Sequence, residues 1–251
     1  MRSRMEASPS TYSNLMGWSP VFVVVRWPSM SSPFTGGYRR MRDRAHAMTT
    51  HGRAAEVLAH LLGYLGTERE TAGRGLLKAR GGYSLHCVGH SFGGRLLAEA
   101  IQASAISVPR VLSRGKYPWT VDSFVVFQMA ARPDVFQQQF ERLVHDSPIG
   151  GPVVLTHSKH DRANGRWHSI AEGVPGVGLG GAEGSAFDVG RIKLHKVDEP
   201  YAPCDFSRRV VNVDSSWRFR RGRWLKPEGA HSDFWYPESA HLVLSVANLS
   251  R

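Results

Sequence analysis

The chain has 251 residues, of which 41% are hydrophobic and 21% charged, a length and balance that suit one globular domain with a sizeable core and exclude a disordered or fibrous chain. The formal net charge of +11 comes mostly from arginine, but the basic residues are scattered. Their densest clusters, Arg39, Arg40, Arg42 and Arg44, then Arg218, Arg220, Arg221 and Arg223, accompany no nucleic-acid-binding motif, so no specific nucleic-acid partner is expected.

Residues 1–20 are rich in Ser, Pro, Thr and Asn without a period and read as a loose segment, followed by a domain over 21–251. The β-branched run VFVVVR at 21–26 stops at Trp27-Pro28 and predicts a buried strand. From about 39 to 65, Val57, Leu58, Leu61, Leu62 and Leu65 fall on one helix face. A glycine- and charge-rich link covers 66–82, then YSLHCV at 83–88 predicts a strand. Leu96, Leu97, Ala100 and Ile101 repeat at helical spacing behind it. SFVVF at 123–127 predicts the next strand, and Phe136, Phe140 and Leu143 one side of a helix.

PVVLTH at 152–157 predicts a further strand. Residues 173–190 carry many glycines and no period, and read as loop within a glycine-rich insertion or lid at about 165–209. VVNV at 210–213 predicts the last strand, and YPESAHLVLSVANL a closing helix that begins at Pro237. Strands alternating with helices, and strand interiors without polar alternation, predict an α/β fold: a mostly parallel sheet of about five or six strands with helices on both faces.

The stretch SLHCVGHSFGGRLLAEA at 84–100 contains Gly89-His90-Ser91-Phe92-Gly93. A G-x-S-x-G match means little alone in a chain with 26 glycines, and context decides. An apolar strand precedes Ser91 and an amphipathic helix follows, as a nucleophile elbow requires. Gly89 and Gly93 avoid crowding the turn, Gly94 lets the helix approach its neighbours, and the helix start aims N–H groups, led by Phe92, at a developing oxyanion.

A serine nucleophile needs a base, and the base an orienting acid. LTHSKHDRANG places Asp161 just past a strand, and KPEGAHSDFW places His231 in a loop before the final helix. Both fall at the C-terminal edge of the sheet, where such folds bind ligands. Asp134 and Asp233 are the rival acids. The substrate-pocket candidates are His90, Trp167 and Phe234. The stretch from His157 to Asp161 is not a recognised ligand set, so no metal and no cofactor is expected.

Two cysteines, Cys87 and Cys204, make no disulfide framework and fit a reducing, cytoplasmic setting. No signal-peptide stretch and no membrane span is expected: the run at 21–25 is too short to cross a bilayer.

The segments WPS at 27–29, YRRMRDRA at 38–45, GHSFGG at 89–94, THSKHDRANG at 156–165 and GAHSDFWYPESAH at 229–241, in that order, resemble the α/β-hydrolase superfamily. More narrowly they are similar to poorly characterised bacterial serine-hydrolase-like proteins. The resemblance implies Ser91 as nucleophile, Asp161 as acid and His231 as base, and no particular natural substrate. Relatives usually carry an upstream strand ending in a His-Gly motif, whose loop gives the second oxyanion N–H. Residues 1–20 contain no His-Gly, so either the chain begins late or the Trp27 to Met30 segment supplies the donor; Pro28 has no N–H and cannot, and Trp27 is taken as the candidate.

The leading expectation is therefore a carboxylic ester hydrolase taking a small-molecule acyl ester, with a homodimer along an exposed sheet edge as one way to cover it where the strand is absent. The alternatives are a catalytically weakened or inactive binding module on the same fold, and an acyltransferase using the same residues.

Overall fold

Three of the five strands are runs of apolar, mostly β-branched or aromatic residues with almost every position buried: β2 (Ser123–Phe127), β3 (Val153–His157) and β5 (Val210–Asp214). Such runs suit a sheet covered on both faces. In the computed structural model, which describes residues 21–29, 35–70, 84–107, 121–145, 149–221 and 226–249, they form the centre of a five-stranded sheet. Its order is β1 (His86–His90), β2, β3, β5 and β4 (Val189–Lys193), and every neighbouring pair is parallel. The expected α/β class is the observed one.

Among the described residues helices α1 (Thr35–Thr50) and α2 (Ala54–Glu70) precede β1, and α3 (Phe92–Ser107) follows it. Leu58 and Leu62 of α2 and Leu96 and Ile101 of α3 share one apolar cluster with Phe124, Val126, Val153, Leu155 and Val210. On the opposite face Leu242 and Val246 of the last helix, α8 (Pro237–Leu249), pack on Val125, Phe127, Val154, Val211 and Val213. Alternate residues of each central strand thus feed two separate cores, as the period of two requires. Short helices α4 (Val135–Gln138), α5 (Arg142–His145), α6 (His168–Glu172) and α7 (Val177–Gly180) occupy the connections.

The structure departs from the sequence reading in five places. The run at 21–26 is not a buried strand: residues 21–29 are irregular, and Val21 to Val25 are 46% to 79% exposed. Strand propensity is satisfied only by a partner, and among the described residues none pairs with this run. The first strand is shifted, from the expected 83–88 to His86–His90. The expected helix at 39–65 is two, α1 and α2. The N–H groups of His51 and Gly52 both donate to the Ala47 carbonyl (3.0 and 2.7 Å) and close α1; Val57, placed on the apolar face, is exposed.

Phe136, Phe140 and Leu143 are buried as expected, but Phe136 lies on α4, Leu143 on α5 and Phe140 between these two single turns, rather than on one helix. Lastly, the glycine-rich stretch at 173–190 read as loop contains α7, and β4 begins at its end, within the insertion at about 165–209. Asn212, buried in β5, grips it by accepting from the Ala182 N–H (2.9 Å) and donating to the Ala182 carbonyl (2.8 Å). Among the described residues no helix is long and apolar enough to cross a membrane.

Gly94 sets how closely α3 approaches the sheet. A Cβ at this position would collide with the Val126 side chain. Gly94→Ala is therefore expected to cost about 1–3 kcal/mol by overpacking. Urea denaturation would measure this, and Val126→Ala in the same chain should recover part of the loss.

Candidate active site

β1 ends at His90, and the chain turns sharply into α3 through Ser91, whose φ is +54°. A serine rarely adopts that left-handed conformation, and it costs free energy unless its surroundings hold it. They do so by hydrogen bonds: the Ser91 N–H donates to the Phe127 carbonyl of β2 (3.0 Å), and the Gly94 N–H donates back to the Ser91 carbonyl (3.2 Å). The corner is tight enough that a Cβ on Gly89 would lie 2.5 Å from the Gly94 Cα. The first turn of α3, which starts at Phe92, directs backbone N–H groups with no intrahelical acceptor toward this corner.

Asp161 follows β3 and is fully buried. A carboxylate there keeps its charge only if donors replace water. Oδ1 accepts the Asn164 backbone N–H (2.9 Å). Oδ2 accepts from Asn164 Nδ2 (2.8 Å), Gln128 Nε2 (3.2 Å) and His231 Nδ1 (2.9 Å). Asn164 is in position because residues Ala163–Trp167 wind as a wide π-type turn straight after the acid. Gly176 and Gly178 press on this group from outside: a Cβ at Gly178 would meet Asp161 Oδ2 at 2.8 Å. These glycines give the close approach that lets the loop seal the carboxylate.

His231 is brought to the acid by its backbone. Gly229 forms an antiparallel bridge with Asp161, the Ala230 N–H donates to the His160 carbonyl (3.0 Å), and the Ala163 N–H donates to the Glu228 carbonyl (3.2 Å). Gly229 has φ +65°, and a Cβ there would lie 2.5 Å from the His160 carbonyl oxygen. With Nδ1–H donating to Asp161, the unprotonated Nε2 accepts from the Ser91 hydroxyl at 2.8 Å. The tautomer follows from the network: Asp161 can only accept. Asn164 Nδ2 also lies 3.2 Å from His231 Nδ1; both are donors, so that approach reflects their shared acceptor.

Ser91, His231 and Asp161 thus lie in one hydrogen-bonded line. The rival acids are engaged elsewhere. Asp134 pairs with Arg132 (3.2 Å), and Asp233 accepts from the Arg221 N–H (2.7 Å) and the Tyr236 hydroxyl (2.5 Å). His90 points away from the serine hydroxyl, and its Nε2–H donates to the His231 carbonyl at 2.8 Å. Phe234 covers His90 (4.7 Å between ring centroids) and stacks on Phe127 (5.0 Å). Trp167 is buried with Tyr38 and Phe92, with Trp27 packed against that cluster. Trp27 turns its indole Nε1 toward Gly93: a Cβ built on Gly93 would lie 3.6 Å from it.

A cavity of about 120 Å³ opens beside Phe92, lined also by Arg95, Ala130, Arg132, His168 and Glu172. His90, Trp167 and Phe234 do not line it. A larger recess of about 450 Å³ lies between Pro152 and Arg209, at the strand starts and away from this site. Among the described residues no group of three or more His, Cys, Asp or Glu is placed to hold a metal ion. Sequence reasoning missed Gln128 and Asn164. The available signals were a polar residue directly after an apolar strand and an asparagine three positions after the acid.

Burial, helped by the neighbouring His231, pushes the His90 pKa down from 6.5 to about 3; burial also lowers those of His157 and His168. Between pH 6.5 and about 3 the unfolded chain binds a proton at residue 90 that the folded chain refuses, so stability falls as pH falls through that window. The slope for one such proton is about 1.4 kcal/mol per pH unit. His90→Gln, which keeps a donor for the His231 carbonyl, is expected to flatten the loss between pH 6.5 and 5 by up to that amount in urea denaturation. Gly229→Ala should cost about 1–3 kcal/mol at any pH from backbone strain, read in the same assay. In comparisons with known proteins, no family model, no curated protein and no solved structure matches the chain.

Proposed function

We propose that the chain is a serine hydrolase of the α/β-hydrolase type that cleaves carboxylic esters. The observation that carries this reading is the line from Ser91 Oγ through His231 to buried Asp161, with bonds of 2.8 and 2.9 Å. An elbow serine, a neutral imidazole and a buried anion behind it are what acyl transfer to a hydroxyl needs.

In the proposed reaction Ser91 Oγ attacks the ester carbonyl as its proton passes to His231 Nε2. Asp161 stabilises the imidazolium across the Nδ1–H bond and does not itself take a proton. The tetrahedral intermediate carries its negative charge on the former carbonyl oxygen, toward the Phe92 N–H. Its collapse breaks the ester C–O bond, and the leaving alkoxide takes the His231 proton. Water, deprotonated by His231, then attacks the acyl-serine, and the acid is released as Ser91 regains its hydrogen.

Trp27 is the second oxyanion donor in this reading, through its indole Nε1–H beside Gly93 rather than through the backbone. Among the described residues β1 has a sheet neighbour on one side only, which favours a second reading, a binding module on the same fold, in which the relay is retained without turnover.

Purified protein is expected to hydrolyse short p-nitrophenyl esters and to react with a fluorophosphonate probe at Ser91. Ser91→Ala should abolish both while its denaturation curve stays close to that of the wild type. A folded wild-type protein that neither turns over such esters nor takes the probe would leave the binding-module reading standing. Trp27→Phe keeps the packing but removes the indole donor, and kcat should drop on the order of 10²-fold with little change in KM.

A further inference from the structure

Gln128 is the first residue after β2, and among the described non-glycine residues only it and Ser91 have positive φ, +48° and +54°. The two occupy matching places. His90 is in register with Phe127, so the residues that follow each of them stand side by side one step beyond the paired strands. Gln128 is fully buried, although a long amide side chain is usually found at the surface.

Its bonds reach every part of the site. The Nε2 amide donates to Asp161 Oδ2 (3.2 Å) and to the Ala230 carbonyl (2.9 Å), the residue before His231. The backbone carbonyl accepts from Asn164 Nδ2 (3.2 Å), and the backbone N–H donates to the Thr156 carbonyl (3.2 Å) at the end of β3. Through the preceding residue it is joined to the nucleophile, because the Phe127 carbonyl accepts from the Ser91 N–H. The amide orientation is fixed by chemistry: reversed, its oxygen would face a carboxylate and a carbonyl. In the observed orientation Oε1 has no partner among the described residues. Both the backbone conformation and the lone oxygen are costs that packing alone does not require.

We infer that Gln128 is a positioning residue that clamps the acid and base loops together and holds the His231 ring in line with Ser91, by one amide shared between Asp161 and Ala230. The inference rests on the hydrolase reading for its effect on rate, but not for its effect on His231 itself. The charged and titratable groups facing His231 are Asp161 from the β3 side and His90 from β1, whose ring lies 4.9 Å away. Removing the Gln128 donor leaves the Asp161 charge less shared and more fully available to the imidazolium. The His231 pKa should then rise, and the acidic limb of kcat/KM with it, because the base must be neutral to act.

The test uses Gln128→Leu and Gln128→Glu in the full chain, with two readouts. The first is kinetics on p-nitrophenyl acetate. Gln128→Leu should lower kcat about 10- to 100-fold with KM changed less than about threefold, and shift the acidic limb upward by about half a pH unit or more. Gln128→Glu, which sets a second carboxyl beside Asp161, should shift it further. The second readout is NMR titration of the His231 ring nitrogens, which needs no turnover. An unchanged His231 titration together with wild-type kinetics in folded Gln128→Leu overturns the inference. If the wild type proves inert toward esters and probe, the hydrolase reading fails separately, while a raised His231 pKa in the variants still supports the clamp. Should neither variant fold, the wild type decides: the Gln128 side-chain amide resonances should move with the His231 midpoint, and amide resonances indifferent to that titration overturn the inference.

Discussion

A carboxylate sealed from water is tolerable only while its charge is distributed over donors, and the organisation of this molecule around Asp161 follows from that. Four donors converge on it, and each comes with a structural commitment. The Asn164 backbone and side chain require the wide turn at Ala163–Trp167. The Gln128 amide requires a strained residue at the end of β2. His231 requires a loop that pairs through Gly229 with the acid's own backbone. The glycines at 176 and 178 leave no room for side chains that would push the loop off and admit water. Removing any single donor leaves a buried anion short of a partner, a loss of about 1–3 kcal/mol or more.

Strain is concentrated at the same place. Ser91 and Gln128 each hold a conformation that costs on the order of 1–3 kcal/mol for a residue with a Cβ. The hydrogen bonds that offset it form a stair across the sheet: Ser91 N–H to Phe127, Gln128 N–H to Thr156, then Ser215 N–H to His157. Each strand end is secured by the next, so the corner at Ser91 is held by the sheet and not by its own loop. Sheet twist and strand order therefore enter directly into where the serine oxygen points.

The central strands were legible in the sequence because their composition is uniform: SFVVF, VVLTH and VVNVD leave no face for water. The elbow and the final helix were legible because their signals are local, a glycine pair around a serine and a proline at a helix start. The run at 21–25 has the same composition as a core strand, yet composition records propensity and not the presence of a neighbour to pair with. β4 was missed for the opposite reason. Its sequence, VGRIK, carries a glycine and two charges, which suit an edge strand that must not recruit further strands. The triad candidates could be read from type and order, whereas Gln128 and Asn164 leave only faint signals in the sequence, because their contacts form only once three distant loops meet.

The site divides mechanically into two bodies. Asp161 and His231 are tied together by paired backbone through Gly229 and Ala230. Ser91 follows directly on β1, which among the described residues has a neighbour on one side only and exposes Val88 at 45%. The contact most sensitive to motion is therefore not the one between His231 and Asp161 but the one between His231 and Ser91, where the two bodies meet. The bonds across that boundary are few: the serine hydroxyl itself, His90 donating to the His231 carbonyl, and the Phe127–Gln128 dipeptide, which takes the Ser91 N–H with one residue and grips Ala230 with the next. Because β1 has a neighbour on one side only among the described residues, the corner after it is held by fasteners on its inner side. A buried glutamine and a half-buried, neutral histidine supply them, where apolar side chains would pack with less cost.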